Sequence, residues 1–466
     1  MKQSSRILFK TLTLLAAFLC LIIVTSPQAQ SLSAETLKQI QSAVKPDRYT
    51  RAAMNAVSNN DIRKLTLNRK VLDSLDHHFA HRIKTAGVTN QKSSGRCWLF
   101  TSLNVLRPKV VEKYHLKDFE FSENYLFFWD QLEKSNLFLE GIIKTRAKKI
   151  DDREVEWLFK NAIGDGGVWN MMVALAEKYG MVPKEAMSES YNSDNTRMMS
   201  RLIRRKLRED GLVLREMSRQ GKKPADLRKK KVQMLSDIYR ILLISLGEPP
   251  QKFTWRYEDK DGNLSPRKEY TPLSFYKEFV QINLHDYVMM MNDPSKKYYQ
   301  LYEIEYDRNL FDSPNWTFVN LPIDELKQFA QKSILADEPM YFSCDVGKQL
   351  NTDKGYLATG MYDYSTLFGV PFGMDKRQRI LSFDSGSTHG MALMGVDTSA
   401  SGAPTKWLLE NSWGPEKGYK GYLTMTDRWF GEYMFRLVAH KRFVSAKVLK
   451  VLEQKPIKLP PWDPMF

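Results

Sequence analysis

The sequence predicts an α+β fold in which helices come first along the chain and strands follow. Apolar residues recur at helical spacing in several segments before about residue 300. From about Pro314 the pattern changes to short aromatic and aliphatic runs bounded by glycine, proline or serine, which are typical of strands. Helices and strands that occupy separate parts of a chain are typical of the α+β class.

The composition is that of a folded protein with a large core. The chain has 466 residues, of which 42% are hydrophobic and 27% are charged, so a largely disordered chain is excluded. The length suits two or three domains, or one domain with insertions. The net charge is +16, and +13 once the three cations of residues 1–30 are set aside. This charge favours acidic partners or anionic surfaces without identifying one.

Residues 1–30 have the order of a secretory signal peptide. Lys2, Arg6 and Lys10 precede the apolar run "TLTLLAAFLCLIIV", and small and polar residues follow it. The run is shorter than the about 20 residues that a membrane-spanning helix needs. We therefore expect an exported protein, periplasmic or secreted, with no stable membrane insertion once the leader is removed. The alternative is an uncleaved membrane anchor.

The stretch "NQKSSGRCWLF" follows a polar, helical segment, residues 31–75, that we interpret as an N-terminal arm. Cys97 is predicted to lie near the start of a helix, because apolar residues follow it at helical spacing: Leu99, Leu103, Val105 and Leu106. Pro108 is expected to kink or end this helix. The positive end of a helix dipole lowers the pKa of a thiol, so Cys97 is a candidate nucleophile. The alternative is a small buried core residue.

The cysteine count supports a free thiol at Cys97. The chain has Cys20, Cys97 and Cys344, and removal of the leader leaves two. A secreted fold built on disulfides would have more, and nothing in the sequence pairs these two. We interpret Cys344 as structural, because it has neither a helix start nor a partner.

Two further segments carry chemical signals. Gly166 and Gly167 precede an apolar helix, and a glycine pair lets another backbone approach closely, although an ordinary turn is the alternative. The segment 191–300 is predicted to be a helical insertion with two basic clusters, at Arg201, Arg204, Arg205 and Lys206 and at residues 228–231. These clusters indicate either a solvated face or a nucleic-acid-binding surface, but no stacking aromatics are interleaved in them.

One histidine stands out from the others as a candidate base. His389 is predicted to begin an apolar strand, and Asn411 to end another strand beside Trp413. The amide of Asn411 can fix the imidazole tautomer, and the indole can keep water away from that hydrogen bond. The alternative is a structural histidine. The cluster His77, His78 and His81 has the spacing of a metal site, but no further ligand set accompanies it.

The order Gln91, Cys97, His389 and Asn411 resembles the papain superfamily of cysteine peptidases, and more closely the bleomycin hydrolase and aminopeptidase C family. The segments that carry this resemblance run in family order from about Asn90 to the C-terminus: "NQKSSGRCWLF", "FSENYLFFWDQLEKSN", "GDGGVWNMM", "FSCDVGK", "THGMALMGV", "ENSWGPEKGYKGYLTMTDRWF" and "PPWDPMF".

The resemblance implies a role for each site residue. Cys97 would be the thiolate nucleophile, His389 its base, and Asn411 the residue that orients His389. The Gln91 side chain and the Cys97 backbone N–H would form the oxyanion hole. The backbones of Gly166 and Gly167 would bind the substrate. No metal or cofactor is implied, and the substrates would be peptides with free N-termini.

The resemblance also implies the architecture, a papain-like fold of two lobes with a helical insertion and an N-terminal arm. The predicted parts are a signal peptide (1–30), the arm (31–75), a catalytic domain in two parts (76–190 and 301–452), the insertion (191–300) and a C-terminal tail in the active-site cleft (453–466). Assembly into a homohexamer is expected.

Two features depart from the family pattern. Gly390 follows His389 where alanine is expected, a change between small residues. The sequence stops at Phe466, directly after the "WDPM" segment, whereas relatives continue for a few residues. The resemblance implies that the terminal carboxylate of relatives meets the amine of the substrate and enforces aminopeptidase cleavage. The carboxylate of Phe466 is expected to bind the substrate from a position a few residues short of that one, so that dipeptides and tripeptides can be released as well as single residues. A shorter tail would leave more of the cleft open, so an oligopeptidase or endopeptidase is one alternative, and a basic nucleic-acid-binding protein is another.

Overall fold

The computed structural model describes residues 31–85 and 87–465, which fall into two units that divide between Leu65 and Thr66. The predicted signal peptide and Phe466 lie outside the described residues. The first unit contains helices α1 (Ala34–Ala43) and α2 (Arg48–Asn59), and α3 (Ile62–Thr66) ends at the division. Neither α1 nor α2 has a buried residue, in keeping with the polar arm that the sequence predicts. No helix in the described part of the chain has the length and apolar character needed to cross a membrane.

The second unit begins with a series of helices. They are α4 (Arg69–Asp73), α5 (Cys97–Lys113), α6 (Glu123–Lys144), α7 (Arg153–Lys160), α8 (Trp169–Tyr179), α9 (Tyr191–Asp194), α10 (Arg197–Arg219) and α11 (Pro224–Leu246). Shorter or later helices are α12 (Pro272–Ser274), α13 (Ile323–Leu335), α14 (Tyr364–Phe368), α15 (Lys376–Leu381), α16 (Asp427–Tyr433) and α17 (Ala446–Val451). A π-helical segment, Phe275–Val280, continues α12.

Most strands form one mixed sheet, in the order β14-β5-β6-β4-β13-β7-β10-β11-β12-β9-β8, with β1 paired to the far end of β10. Their bounds are β1 (His81–Arg82), β4 (Tyr287–Met291), β5 (Gln300–Ile304), β6 (Thr317–Asn320), β7 (Met340–Cys344), β8 (Leu350–Asn351), β9 (Tyr356–Leu357), β10 (His389–Thr398), β11 (Pro404–Glu410), β12 (Tyr422–Thr426), β13 (Met434–His440) and β14 (Ile457–Leu459). Strands β2 (Phe253–Trp255) and β3 (Lys268–Tyr270) form a separate hairpin.

Helix α5 is buried against β10 and carries the candidate nucleophile into the centre of the molecule. Leu99, Phe100, Val105 and Leu106 have no exposed surface. Pro108 was predicted to kink or end this helix, and it does not end it, since the helix continues to Lys113. Proline costs about 3 kcal/mol inside a helix. Burial of Val110 and Val111 beyond it offsets that cost, because each buried aliphatic side chain contributes about 1.5–3 kcal/mol.

The boundaries of two predicted parts differ in the structure. Within 191–300, α10 and α11 pack on α6, but β4 and the start of β5 belong to the central sheet. The strand pattern therefore begins before Pro314; the run "YVMMM" has no periodicity that separates a buried strand from a buried helix. Similarly, residues 67–75 pack with the second unit, where Leu67, Val71 and Leu72 contact a small cluster around Met361.

Candidate active site

Cys97 is the first residue of α5. The loop that precedes it is held in place by hydrogen bonds and an ion pair of buried polar side chains. The Arg96 side chain has no exposed surface, and its guanidinium pairs with the Glu189 carboxylate at 2.8 Å. The Gln91 Nε2 donates to the Ser94 carbonyl at 2.6 Å, and Gln91 Oε1 accepts from the Ser412 hydroxyl at 2.7 Å. One Nε2 hydrogen of Gln91 therefore remains available to a ligand. The N–H of Cys97 is also available, because the first N–H groups of a helix have no partner within the helix.

His389 is the first residue of β10, and its imidazole lies between the loop of Cys97 and that of Asn411. Its Nε2 is 2.8 Å from Asn411 Oδ1, so Nδ1 is the nitrogen left for the thiol. Asn411 Oδ1 also accepts from the Ser412 N–H at 2.8 Å. The Trp413 ring stacks on the imidazole with the centroids 4.8 Å apart. Asn411 and His389 are both buried, so this hydrogen bond is protected from water, as the sequence predicts.

Cys97 and His389 stabilise each other's charged forms. Burial raises the pKa of the Cys97 thiol, but the charge and hydrogen bond of His389 and the N–H groups of Gly390 and Trp98 outweigh it and lower that pKa below its ordinary value. Burial lowers the pKa of His389, but Cys97 and Asn411 outweigh it and raise that pKa. The arrangement therefore favours a thiolate–imidazolium pair.

Cys344 has the opposite environment. It lies in β7 directly opposite His389 of β10, with no exposed surface. Burial raises the pKa of its thiol far above the ordinary value, and the Asp345 carboxylate adds to this effect. Cys344 is thus held as a neutral thiol, in agreement with its interpretation as a structural residue.

The loop that contains Gly166 and Gly167 is held by Asp165, a residue that was not predicted from the sequence. The Trp98 Nε1 donates to the Asp165 carbonyl at 2.8 Å. The Asp165 carboxylate accepts from the hydroxyls of Thr196 and Ser200, so it ties the loop to α10. In the sequence, only the position of Asp165 next to the glycine pair indicated a role for this residue. The loop therefore depends on contacts from the start of the insertion.

Gly166 and Gly167 are equivalent in sequence but not in structure. Gly166 is exposed to the cleft, and a Cβ placed there would meet no atom within 4 Å. A Cβ at Gly167 would lie 2.7 Å from Trp98 Cε2. The Gly166 carbonyl already accepts from Lys134 Nζ at 2.6 Å, so its N–H is the group left for a peptide. Lys134 is a second positioning residue that the sequence did not indicate.

A cavity of roughly 490 Å³ joins these groups. Gln91, Cys97, His389 and both glycines line it, together with residues that sequence reasoning did not select: Asp307, Tyr341, Ser343 and Arg436. The C-terminal segment reaches this cleft, because Arg436 Nη2 donates to the Met465 carbonyl at 3.1 Å. Asn411 contacts His389 through the hydrogen bond described above and does not itself line the cavity. Phe466, the remaining predicted substrate-binding residue, is outside the described residues.

The N-terminal histidines face separate partners. His77 stacks between Tyr356 and Tyr419, with centroids 4.4 and 4.0 Å away, and His81 lies 3.1 Å from Asp337. Within residues 31–85 and 87–465, no group of three or more histidine, cysteine or acidic side chains could hold a metal ion. The spacing of these histidines therefore reflects packing of separate side chains.

Many of the basic side chains of α10 and α11 are engaged within the protein. Arg204 donates to the Ile163 carbonyl at 2.9 Å, and Arg208 to the Phe159 carbonyl at 2.8 Å. Arg228 and Lys231 both contact the carboxylate of Glu140. These four cations thus contact groups of α6, of α7 and of the loop after α7, so their charges are already engaged within the protein.

Known proteins resemble this chain over most of its length. The sequence profile of the peptidase C1-like family matches residues 31–466. Human bleomycin hydrolase is 41% identical over 424 residues, which cover 89% of this chain and 93% of the human protein. Aminopeptidase C of Streptococcus thermophilus is 39% identical over 416 residues, covering 89% of this chain and 94% of its own. The crystal structure of PepW from Lactobacillus rhamnosis matches with a TM-score of 0.90 at 38% identity, covering 93% of this chain and 98% of PepW.

Proposed function

Because the chain belongs to the peptidase C1-like family, with its papain-like α+β fold, and is a cysteine aminopeptidase, we propose that Cys97 is the nucleophile in the removal of residues from free peptide N-termini. The observation that carries this proposal is the buried contact of His389 with Asn411 beside a thiol whose pKa is lowered. A thiolate is the reactive form of cysteine, and this pair supplies it near neutral pH.

Each residue then has one chemical task. The Cys97 thiolate attacks the carbonyl carbon of the first peptide bond, and the negative charge that develops on the oxygen is met by Gln91 Nε2 and the Cys97 N–H. His389 gives its proton to the leaving amine, and a thioester remains on Cys97. His389 next takes a proton from water, the hydroxide attacks the thioester, and the freed amino acid leaves with restoration of the thiolate.

The test is turnover of a defined hexapeptide and of the same peptide with an acetylated N-terminus, followed by mass spectrometry. We expect successive loss of single residues from the free peptide and little change in the acetylated one. Early release of dipeptides or tripeptides would favour an oligopeptidase, and equal cleavage of both peptides an endopeptidase. Absence of turnover under reducing conditions would contradict the proposal.

We further infer that the protein is exported and assembles as a homohexamer. Export is supported by the order of charged, apolar and small residues in 1–30. Self-association is supported by exposed apolar side chains between residues 364 and 383, of which Phe372 is 65% and Phe383 73% exposed. Light scattering of purified protein tests the hexamer, and a monomeric mass would overturn it.

A further inference from the structure

We propose that the Asp307 carboxylate binds the α-ammonium group of the peptide substrate and thereby determines specificity for a free N-terminus. This inference rests on the proposed aminopeptidase function and assigns the recognition of the amine to a particular side chain. It does not depend on where the chain ends.

The location of Asp307 is the first support. It follows β5, and its carbonyl accepts from the Trp316 N–H at 2.8 Å, which fixes the backbone. Asp307 lines the cavity that contains Cys97 and also a neighbouring, mostly apolar cavity of roughly 680 Å³. Gly166 borders both cavities, whereas Gly167 borders only that of Cys97. Asp307 therefore lies at the junction of the two cavities, which Gly166 also borders.

The state of the carboxylate is the second support. Asp307 Oδ2 is shielded from solvent and has no hydrogen-bond partner among the residues that the structure describes. Such an acceptor is costly to bury unless a ligand satisfies it. Burial raises the pKa of Asp307 to about 6, and the nearby Arg436 and Lys134 limit this rise. The side chain is thus mainly ionised at neutral pH.

The two nearby cations act on Asp307 through their charge, but neither donates a hydrogen bond to its Oδ2, and both bond to other groups. Lys134 Nζ bonds Asp130 Oδ2 and the Gly166 carbonyl, each at 2.6 Å. The Arg436 guanidinium lies over the Trp316 ring, 4.5 Å from its centroid, and donates to Met465. An α-ammonium carries three donors and a full charge, which makes it a suitable partner for the Asp307 carboxylate.

The position of a bound peptide completes the argument. With its first carbonyl at Cys97, the peptide has its amine only two bonds from the attacked carbon, so the amine lies within the cavity that Asp307 lines. A free N-terminus places an ammonium beside Asp307. An acylated or longer chain places an uncharged amide there, which gives the carboxylate no additional positive charge. Asp307 would therefore select substrates by the charge of their first nitrogen.

The experiment compares a hexapeptide with its des-amino counterpart, in which hydrogen replaces only the N-terminal amine. In the wild-type enzyme we expect kcat/KM to be about 10- to 100-fold higher for the amine-bearing peptide. Asp307→Asn should remove most of this ratio, mainly through a higher KM for the amine-bearing peptide, and Asp307→Glu should retain part of it. Glu305→Gln is the matched control, because the exposed Glu305 lines the apolar cavity but not that of Cys97.

An unchanged ratio in Asp307→Asn, or an equal loss for both peptides, would overturn the assignment. A wild-type enzyme that cleaves neither peptide would instead contradict the proposed function. The rate of Cys97 alkylation by iodoacetamide verifies that each variant retains its active site. If Asp307→Asn does not fold, Asp307→Ser removes the same charge and makes the same comparison.

Discussion

Substitution of the two adjacent glycines by alanine is expected to separate folding from substrate binding. At Gly167 the new Cβ would lie 2.7 and 2.8 Å from two ring atoms of Trp98 and 3.0 Å from Met171 Sδ. Carbon atoms in contact are normally about 3.5–4.0 Å apart. Trp98 is only 1% exposed and its Nε1 is bonded to Asp165, so the ring has little freedom to withdraw. Gly166→Ala introduces the same group where no atom lies within 4 Å.

The overlap at Gly167 sets the magnitude of the effect. Overpacking of a buried site typically costs about 1–3 kcal/mol of the free energy of unfolding. In a unit of this size, that loss corresponds to a decrease in Tm of about 1–3 °C. Because Trp98 follows Cys97 directly, Gly167→Ala should also lower kcat. Gly166→Ala should leave Tm within about 1 °C, since surface changes are usually within 0.5 kcal/mol.

For Gly166→Ala the penalty is expected in the complex with substrate. A peptide that lies against this loop would meet the new methyl group, and an overlap of about 1–3 kcal/mol corresponds to roughly 5- to 150-fold in kcat/KM. Differential scanning calorimetry and steady-state kinetics on both variants check the two effects. A destabilised Gly166→Ala with normal kinetics, or a Gly167→Ala that matches the wild type in both assays, would refute the reasoning.

Four further predictions concern the site residues and the predicted signal peptide. Cys97→Ala should abolish peptide hydrolysis without loss of folding, whereas Cys344→Ala should keep most of it; turnover and circular dichroism of both variants decide between the two thiols. His389→Ala should lower kcat/KM by at least the about 10²–10⁴-fold typical of a general acid–base group, and Asn411→Ala by less, because Asn411 only orients the ring; an equal loss would contradict this division of roles. Activity should rise with pH through the lowered pKa of Cys97 and fall through the raised pKa of His389, since the active pair exists between them; kcat/KM measured across pH should trace a bell, and a flat profile would contradict the ion pair. N-terminal sequencing of native protein should show that about 30 residues are removed; recovery of Met1 would contradict export.

The residues nearest the chemistry could be predicted from the sequence because each lies in a short segment with its own signal. Cys97 precedes an apolar helical pattern, and His389 and Asn411 stand at the ends of strand-like runs. These local patterns predicted the secondary structure correctly, since the helix begins, and one strand begins and the other ends, where they were expected. The family resemblance then supplied the order in which these segments come together.

Other features arise only when distant segments meet. Pro108 stays within a helix because the core on both sides of it outweighs the cost of proline, and the sequence does not show that core. Asp165 acts through hydroxyls of Thr196 and Ser200, about 30 residues further along the chain. Asp307 has no local signal at all. It faces Cys97, 210 positions earlier in the sequence, because β5 pairs with β6 and β14 at the edge of the sheet. Burial and the loss of solvent around a carboxylate are properties of the assembled fold, so only the tertiary structure could reveal its shielded oxygen in the cleft.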